Sequence, residues 1–167
     1  HITAETTHTV RTNAYSFGAS FAEVKVDINL AKVEVLKLIN IHDAGKIINP
    51  QLAEAQAHGG MSMAVGYALT EEMKYNDKGR ILNDNLLDYK LGTIADTPEF
   101  EVYFVENPEP TSPFNTKSLG EPPTCSPAPA IRNAVLNATG ISVNKIPMTP
   151  HVLFPLFKEN GLIDNDL

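Results

Sequence analysis

The sequence predicts a mixed α+β fold in which helices pack in layers on a sheet. Apolar and polar side chains alternate from Ala22 to Ile28, which is the pattern of a half-buried strand. Asn49-Pro50 and Ser126-Pro127 are typical helix starts, because Asn or Ser can cap the first turn and proline enters the helix with its φ already set. Strands and helices in this mixed order indicate a layered α+β structure.

The N-terminal part predicts a hairpin followed by a long helix. Residues 1–20 are polar and small, and we expect them to form a loop that leads into the strand at 22–28. The chain then turns at 29–32, and 33–41 forms the returning strand. A helix is expected at 50–70, since this segment is rich in Ala, Met and Leu.

Three glycines lie inside this predicted helix. Gly59, Gly60 and Gly66 each lower helix stability by roughly 1 kcal/mol relative to alanine. Their presence suggests that another part of the protein packs close to the helix backbone. Tight packing of helix against sheet is the simpler explanation, and a ligand close to the backbone is the alternative.

The middle of the chain predicts a second hairpin, a strand and a long loop. The turn of the hairpin is Asn76-Asp77-Lys78-Gly79, whereas 83–92 has no clear pattern. Residues 100–105 alternate well enough to form a strand, and 107–127 read as a Pro-rich loop.

Two further helices are expected at the C-terminal end. The helix that starts at Ser126-Pro127 closes at Gly140, which is well suited to the left-handed residue after a helix. Thr149-Pro150 starts the last helix. We expect that helix to be short or kinked, because Pro155 lacks the N–H that a helix interior requires.

Composition restricts the possible functions. The 167 residues suit one domain, and 43% hydrophobic with 20% charged residues allows an ordinary core. A net charge of -7 argues against nucleic-acid or anionic-membrane partners, which require a basic face. With Cys125 as the single cysteine, no internal disulfide is possible and a reducing cytoplasm is expected. No stretch is long and apolar enough for a membrane span.

The loop around Glu121 is the strongest candidate for chemistry. Gly120 lets a ligand approach the backbone, and Pro122 and Pro123 stiffen the chain after the carboxylate. A general base needs such accurate placement before it needs a shifted pKa. The alternative interpretation is a surface turn with a solvated Glu, which is the commoner situation for a loop carboxylate.

Two other places in the sequence are candidate sites. Gln56 offers two donors and one acceptor, which suits a ring that carries both kinds of group, although a solvated helix face is the alternative. His42 and Asp43 end an apolar strand before Gly45. Metal binding would require two or three more ligands, and no His-x-x-x-His or Cys pair is present. We therefore expect no metal bound by side chains, and we expect His42 to be a hydrogen-bonded residue at the strand end.

At this loop the chain resembles a known family. Lys117-Ser118-Leu119-Gly120-Glu121-Pro122-Pro123 is similar to the Lys-Ala-Val-Gly-Glu-Pro-Pro loop of the xanthine dehydrogenase and aldehyde oxidase family. Further similar segments, in the same order, are Tyr15 to Gly18, Glu23 to Asp27, Asp43 to Pro50, Gln56 to Gly60, Gly66 to Glu72 and Leu87 to Lys90. Asn115 departs from the family pattern, which often has Gly there, and Pro155 departs from the usual terminal helix.

The resemblance implies a role for each matching residue. Glu121 matches the catalytic base that deprotonates a molybdenum-bound hydroxyl, and Gln56 matches a glutamine that hydrogen-bonds the pterin or the oxo ligand. The backbone of Leu119 and Gly120 would line the molybdopterin cofactor. In this family the dithiolene of the pterin holds the metal without a side-chain ligand. Residues 1–167 would then form the C-terminal molybdenum cofactor-binding domain of a longer molybdenum subunit.

The resemblance also implies an activity and its partners. The sequence resembles bacterial purine-type enzymes more than carbon monoxide dehydrogenases, which implies oxidation of xanthine or hypoxanthine with water as the oxygen source. Iron–sulfur clusters and FAD would lie on other domains or subunits, and the rest of the molybdenum subunit would complete the site. We therefore expect the isolated chain to fold, or nearly fold, without turning over. Oxidation of an aldehyde or another N-heterocycle, a cytosine dinucleotide form of the pterin, and a non-catalytic cofactor-binding or assembly module remain alternatives.

Overall fold

The described elements form a layered α+β structure in which helices pack on a sheet. The structure, a computed structural model, describes residues 1–9 and 13–164. Its elements are β1 (Phe17–Asp27), β2 (Lys32–Asp43), α1 (Pro50–Leu69), β3 (Glu99–Phe104), α2 (Pro122–Cys125), α3 (Pro127–Thr139) and α4 (Pro150–Glu159). Two short 3-10 turns lie at Ile94–Asp96 and Pro113–Asn115. The expected fold class is confirmed.

β2 lies in the centre of the three-stranded sheet. It pairs antiparallel with β1 and parallel with β3. The register shifts between Glu23 and Val24, so that Leu36 of β2 has no partner and forms a bulge. Segment 1–20 was expected to be a loop, but β1 already begins at Phe17, so this expectation was wrong for the last four residues of the segment. Residues 10–12 of the segment lie outside the described residues. The small residues Gly18, Ala19 and Ser20 have little strand propensity, but they pair with the end of β2, and this pairing extends the strand.

One face of the sheet packs against the helices and forms the core. α1 turns a row of small side chains inward, which lets its backbone lie close to its neighbours. The buried apolar residues of these elements include Val33, Val35 and Leu38 of β2, Ala57, Met61, Ala64 and Ala68 of α1, Ala128, Ile131 and Val135 of α3, and Leu153 and Phe157 of α4. This packing fixes α1 relative to the end of β2.

The helix ends agree with the sequence signals in most cases. Leu52 donates its backbone N–H to Asn49 Oδ1 over 3.1 Å, which confirms Asn49 as the cap of α1. α3 closes at Gly140 with φ 73°. Ser126, however, does not cap α3, because its backbone is helical and its hydroxyl lies 2.6 Å from Ser20 Oγ. α4 has ten residues and carries Pro155 inside it.

The two connections in the middle of the chain are mostly irregular. The hairpin expected at 76–79 is reduced to a turn closed by one bridge between Tyr75 and Ile81. The segment expected to be a loop at 107–127 contains the four-residue helix α2, and this expectation was wrong in that part. Two adjacent prolines favour the φ of a first helical turn, and α2 begins with them.

Candidate active site

The loop with Glu121 is anchored to the end of β2. Lys117 donates its backbone N–H to Ala44 O over 2.8 Å, and Lys46 donates to Asn115 O over 2.9 Å. Gly45 lies between these bonds with φ 65°, and a Cβ on it would lie 2.5 Å from Asn115 O. Glycine is therefore required at this crossing, both for its backbone conformation and for the space.

The tip of this loop holds two residues in the left-handed region. Phe114 has φ 57° and Asn115 has φ 61°. Asn adopts this conformation more easily than most residues, so Asn115 serves where the family pattern often has Gly. Phe114 is 79% exposed. Asn115 thus adopts the left-handed conformation that a glycine at this position would adopt without strain.

A buried ion pair ties the loop to β2. Lys117 Nζ lies 2.7 Å from Asp43 Oδ2. Burial raises the pKa of the Asp43 carboxyl, but hydrogen bonds from Lys117, the Gly45 N–H and Asn107 outweigh it and hold that pKa below its usual value. The Asp43 carboxyl is therefore ionised at neutral pH, and its contact with Lys117 ties the start of the loop to β2.

The expected site residues lie together where this loop meets α1. Gln56 Nε2 donates to Gly120 O over 2.8 Å. Leu119 is half-buried, and Gly120 and Glu121 are exposed. The contact leaves Gln56 Oε1 without a hydrogen-bond partner among residues 1–9 and 13–164. Gln56 thus holds the backbone just before Glu121 with its amide nitrogen and presents an acceptor beside it.

The backbone just after Glu121 is also held. Thr124 N donates to Glu121 O over 2.9 Å, and Tyr67 Oη donates to Thr124 O over 2.6 Å. Burial raises the pKa of Tyr67, so its hydroxyl stays protonated and remains a donor. Asn40 Nδ2 donates to Pro123 O over 3.1 Å. Glu121 therefore sits between two stretches of fixed backbone.

Asn40 and Tyr67 were not identified from the sequence. Asn40 is fully buried and also accepts a hydrogen bond from Ser20 Oγ. The sequence signal for Asn40 is its position in the strand, because Asn40 alternates with Leu38 and His42 on the inward face. A polar side chain at such a position needs a buried partner, and here the partner is the backbone of α2.

The three glycines of α1 have different surroundings. A Cβ on Gly60 would lie 2.7 Å from Pro123 Cβ, so this glycine lets α2 pack against α1. A Cβ on Gly66 would meet the side chain of Glu71, whereas a Cβ on Gly59 would meet nothing within 4 Å. The close approach expected from these glycines is thus made by α2, not by the sheet, at Gly60.

His42 differs from its expected role. It is 1% exposed, and neither ring nitrogen has a hydrogen-bond partner among the described residues. The expectation of a hydrogen-bonded strand-end residue was therefore wrong. The ring packs against Gly18 of β1, where a Cβ would lie 2.7 Å from Nδ1. Burial lowers the pKa of His42, which keeps the ring neutral.

The described part of the chain offers no metal site made of side chains. Within it, no group of three or more His, Cys, Asp or Glu side chains is placed to hold a metal ion. None of its helices has both the length and the apolar character needed to cross a membrane.

The fold and this loop define a class of protein. Residues 1–98 match the family described as molybdopterin cofactor-binding domain, and the chain belongs to that family. The matched range includes Gln56 but ends before Glu121.

Individual relatives agree with this assignment. The chain is 49% identical over 163 residues to the putative xanthine dehydrogenase molybdenum-binding subunit XdhA of Escherichia coli (strain K12), which covers 97% of this chain and 22% of that protein. It is 38% identical to the aldehyde oxidoreductase molybdenum-binding subunit PaoC of the same organism, over 80% of this chain and 19% of that protein. The solved structure of reconstituted CO dehydrogenase from Oligotropha carboxidovorans superimposes with a TM-score of 0.82 at 30% identity, over 89% of this chain and 19% of that one. The chain thus spans about a fifth of the length of these proteins.

The geometry of the site suits a molybdopterin. Such a cofactor brings its own sulfur ligands for the metal, so it needs hydrogen-bonding groups and open backbone, not a cluster of metal-binding side chains. Gly59 and Gly120 are exposed, and a Cβ on either would meet nothing within 4 Å. Gln56 lies in the same part of the molecule with its Oε1 available. The residues present therefore fit the group.

Proposed function

We propose that this chain is the C-terminal cofactor-binding domain, residues 1–167, of the molybdenum subunit of a xanthine dehydrogenase-type oxidoreductase. The whole enzyme oxidises a purine such as xanthine or hypoxanthine and takes the oxygen atom from water. Glu121 is the catalytic base. The observation that supports this role is the exposed Glu121 carboxylate between two fixed stretches of backbone, beside Gln56.

The residues of this chain divide the work of the site. Gln56 and the backbone of Leu119 and Gly120 bind the molybdopterin, with Gln56 Oε1 as acceptor. The cofactor supplies, when bound, a redox centre that takes up the two electrons of the reaction. Glu121 accepts at its carboxylate the proton that the oxygen nucleophile loses as it attacks the electron-poor ring carbon. Because its backbone is fixed, the carboxylate needs little rearrangement to do so.

The same proposal extends to the partners. The rest of the molybdenum subunit completes the substrate pocket, and iron–sulfur and FAD groups on other domains or subunits carry the electrons away. We place the enzyme in the cytoplasm, since Cys125 is the single cysteine. The pterin of this enzyme is either the simple form or its cytosine dinucleotide.

A purine is favoured over an aldehyde as the substrate. The relative named as a xanthine dehydrogenase subunit is 49% identical, whereas the one named as an aldehyde oxidoreductase subunit is 38% identical. The ratio of kcat/KM for xanthine to kcat/KM for an aromatic aldehyde measures this preference directly. A ratio below one would assign the aldehyde as the substrate.

The base is tested in the whole enzyme, expressed with its partner subunits. Glu121→Gln keeps the size of the side chain and removes the base, so xanthine turnover per molybdenum should fall about 10²- to 10⁴-fold while molybdenum content is retained. Glu159→Gln, an exposed change in α4, should leave both unchanged. Turnover near the parental level in Glu121→Gln would reject the role of Glu121 and favour a non-catalytic binding or assembly module.

A further inference from the structure

The helix that follows Glu121 cannot hold itself in place. α2 has four residues, and the first two, Pro122 and Pro123, have no N–H to donate. A helix of this length leaves its carbonyl groups without partners inside the helix. Since these groups lie beside a buried core, other parts of the protein must supply donors.

Two side chains from different elements supply these donors to consecutive carbonyls. Asn40 of β2 donates to Pro123 O over 3.1 Å, and Tyr67 of α1 donates to Thr124 O over 2.6 Å. Asn40 is itself held, because Ser20 Oγ donates to its Oδ1 and also lies 2.6 Å from Ser126 Oγ. The helix α2, which follows Glu121, is thus held by hydrogen bonds from both the sheet and α1.

The grip reaches Glu121 through one further bond. Thr124 N donates to Glu121 O over 2.9 Å. This N–H belongs to the same peptide group as Pro123 O, which Asn40 holds, and Tyr67 holds the next peptide along the chain. Pro123 also packs against Gly60 of α1, where there is no room for a Cβ. A shift of α2 away from α1 or from the sheet would therefore lose this packing and break a hydrogen bond.

We propose that Asn40 and Tyr67 are positioning residues that set the direction of the Glu121 carboxylate by clamping the Pro123 and Thr124 carbonyls. The clamp rests on the proposed function of Glu121 as the base. In this proposal both side chains act through the backbone of α2, since the groups that they bond are its carbonyls. A carboxylate displaced by about 1 Å loses up to about 10²-fold in rate, because proton transfer depends on geometry.

The test uses the whole enzyme with its partner subunits. Tyr67→Phe removes one hydroxyl from a half-buried ring and leaves the packing in place. It should lower kcat for xanthine, per molybdenum, about 10- to 100-fold with little change in KM. Tyr103→Phe, which removes the hydroxyl that bonds Glu101 on β3, is the matched control and should keep the parental kcat. Asn40→Leu, which removes the donor to Pro123 O at similar size, should reduce kcat in the same direction.

A double variant separates positioning from a general structural role. If Tyr67 acts through the base, Tyr67→Phe should cause no further loss in kcat once Glu121→Gln is present. The clamp is overturned if the losses in kcat of Tyr67→Phe and Glu121→Gln multiply in the double variant. It is also overturned if Tyr67→Phe alone keeps the parental turnover. Neither result affects the assignment of Glu121 as the base. Parental turnover in Glu121→Gln alone overturns the proposed function, and this result is obtained from the single variant.

Discussion

Lys117 Nζ and Asp43 Oδ2 form an ion pair of 2.7 Å with side chains only 4% and 11% exposed. The pair joins the end of β2 to the loop that carries Glu121. Gly45 and Asn107 also donate to the Asp43 carboxylate, and the Lys117 ammonium lies 5.9 Å from the centre of the Phe17 ring. Such a dehydrated pair is balanced only while both charges are present, since either charge alone would be buried without compensation.

Removing the cation should therefore destabilise the domain strongly. Lys117→Met keeps much of the aliphatic stem and deletes the charge, so the free energy of unfolding should fall by about 3–5 kcal/mol. Urea denaturation of the 167-residue chain, followed by circular dichroism, measures this change.

An exposed ion pair in the same domain gives the control for this prediction. Lys25 and Glu34 pair across the hairpin at 3.8 Å with side chains 70% and 59% exposed. Lys25→Met should change the free energy of unfolding by less than about 1 kcal/mol, because water screens the pair. If Lys25→Met and Lys117→Met lower the free energy of unfolding equally, burial of the pair between Lys117 and Asp43 has no energetic consequence.

The adjacent glycines of α1 should respond in opposite directions to the same change. Gly60→Ala would place a Cβ 2.7 Å from Pro123 Cβ, so α1 and α2 would have to move apart. Overpacking of this kind lowers the free energy of unfolding by about 1–3 kcal/mol. Gly59→Ala meets nothing within 4 Å and should raise stability by about 0.5–1 kcal/mol through helix propensity. Urea denaturation measures the free energy of unfolding of both variants. If Gly59→Ala were less stable than the parent, the open space around Gly59 would be contradicted.

The sequence predicts the regular part of this fold better than the clamp around Glu121. Alternation reveals β1 and β2, and the Asn49-Pro50 start of α1 is local in the chain, so both could be found by pattern. The helix α2 could not, because its four residues are stabilised by donors from Asn40 and Tyr67, which lie far from it in the sequence. Long-range hydrogen bonds leave no local periodicity.

His42 shows a second limit of the sequence. Its place at the end of an apolar strand suggested a hydrogen-bonded ring, but the inward direction of the side chain depends on the register of β2 against β1. That register, with the bulge at Leu36, brings His42 opposite Gly18, where the missing side chain makes room for the ring. The environment of His42 therefore depends on packing between the strands, which the residue type alone does not reveal.

The contact between Gln56 and Gly120 should matter for cofactor retention. Gln56→Ala removes both the donor to Gly120 O and the acceptor proposed for the molybdopterin. The pterin content of the purified whole enzyme should fall, with an apparent Kd raised about 3- to 10-fold for the loss of one hydrogen bond. Gln51→Ala, an exposed change five residues earlier in α1, is the control and should retain the parental pterin content. Equal pterin content in both variants would remove Gln56 from the cofactor site.

Stability should decrease in weak acid because of His42. Burial lowers the pKa of His42 below its usual 6.5, so the folded protein keeps the ring neutral while the unfolded chain gains a proton as the pH falls below 6.5. The unfolded state then binds more protons, and the free energy of unfolding falls with a slope of up to about 1.4 kcal/mol per pH unit until the folded pKa is passed. The pKa of Asp43 is also lowered in the folded protein, so this residue reduces the free energy of unfolding only at lower pH, below its usual pKa of 3.8. His42→Leu should abolish the decrease between pH 6.5 and the acid range of Asp43, whereas His151→Leu, an exposed change in α4, should keep it. Urea denaturation at a series of pH values measures the slope, and an unchanged slope in His42→Leu would assign the acid sensitivity to another group.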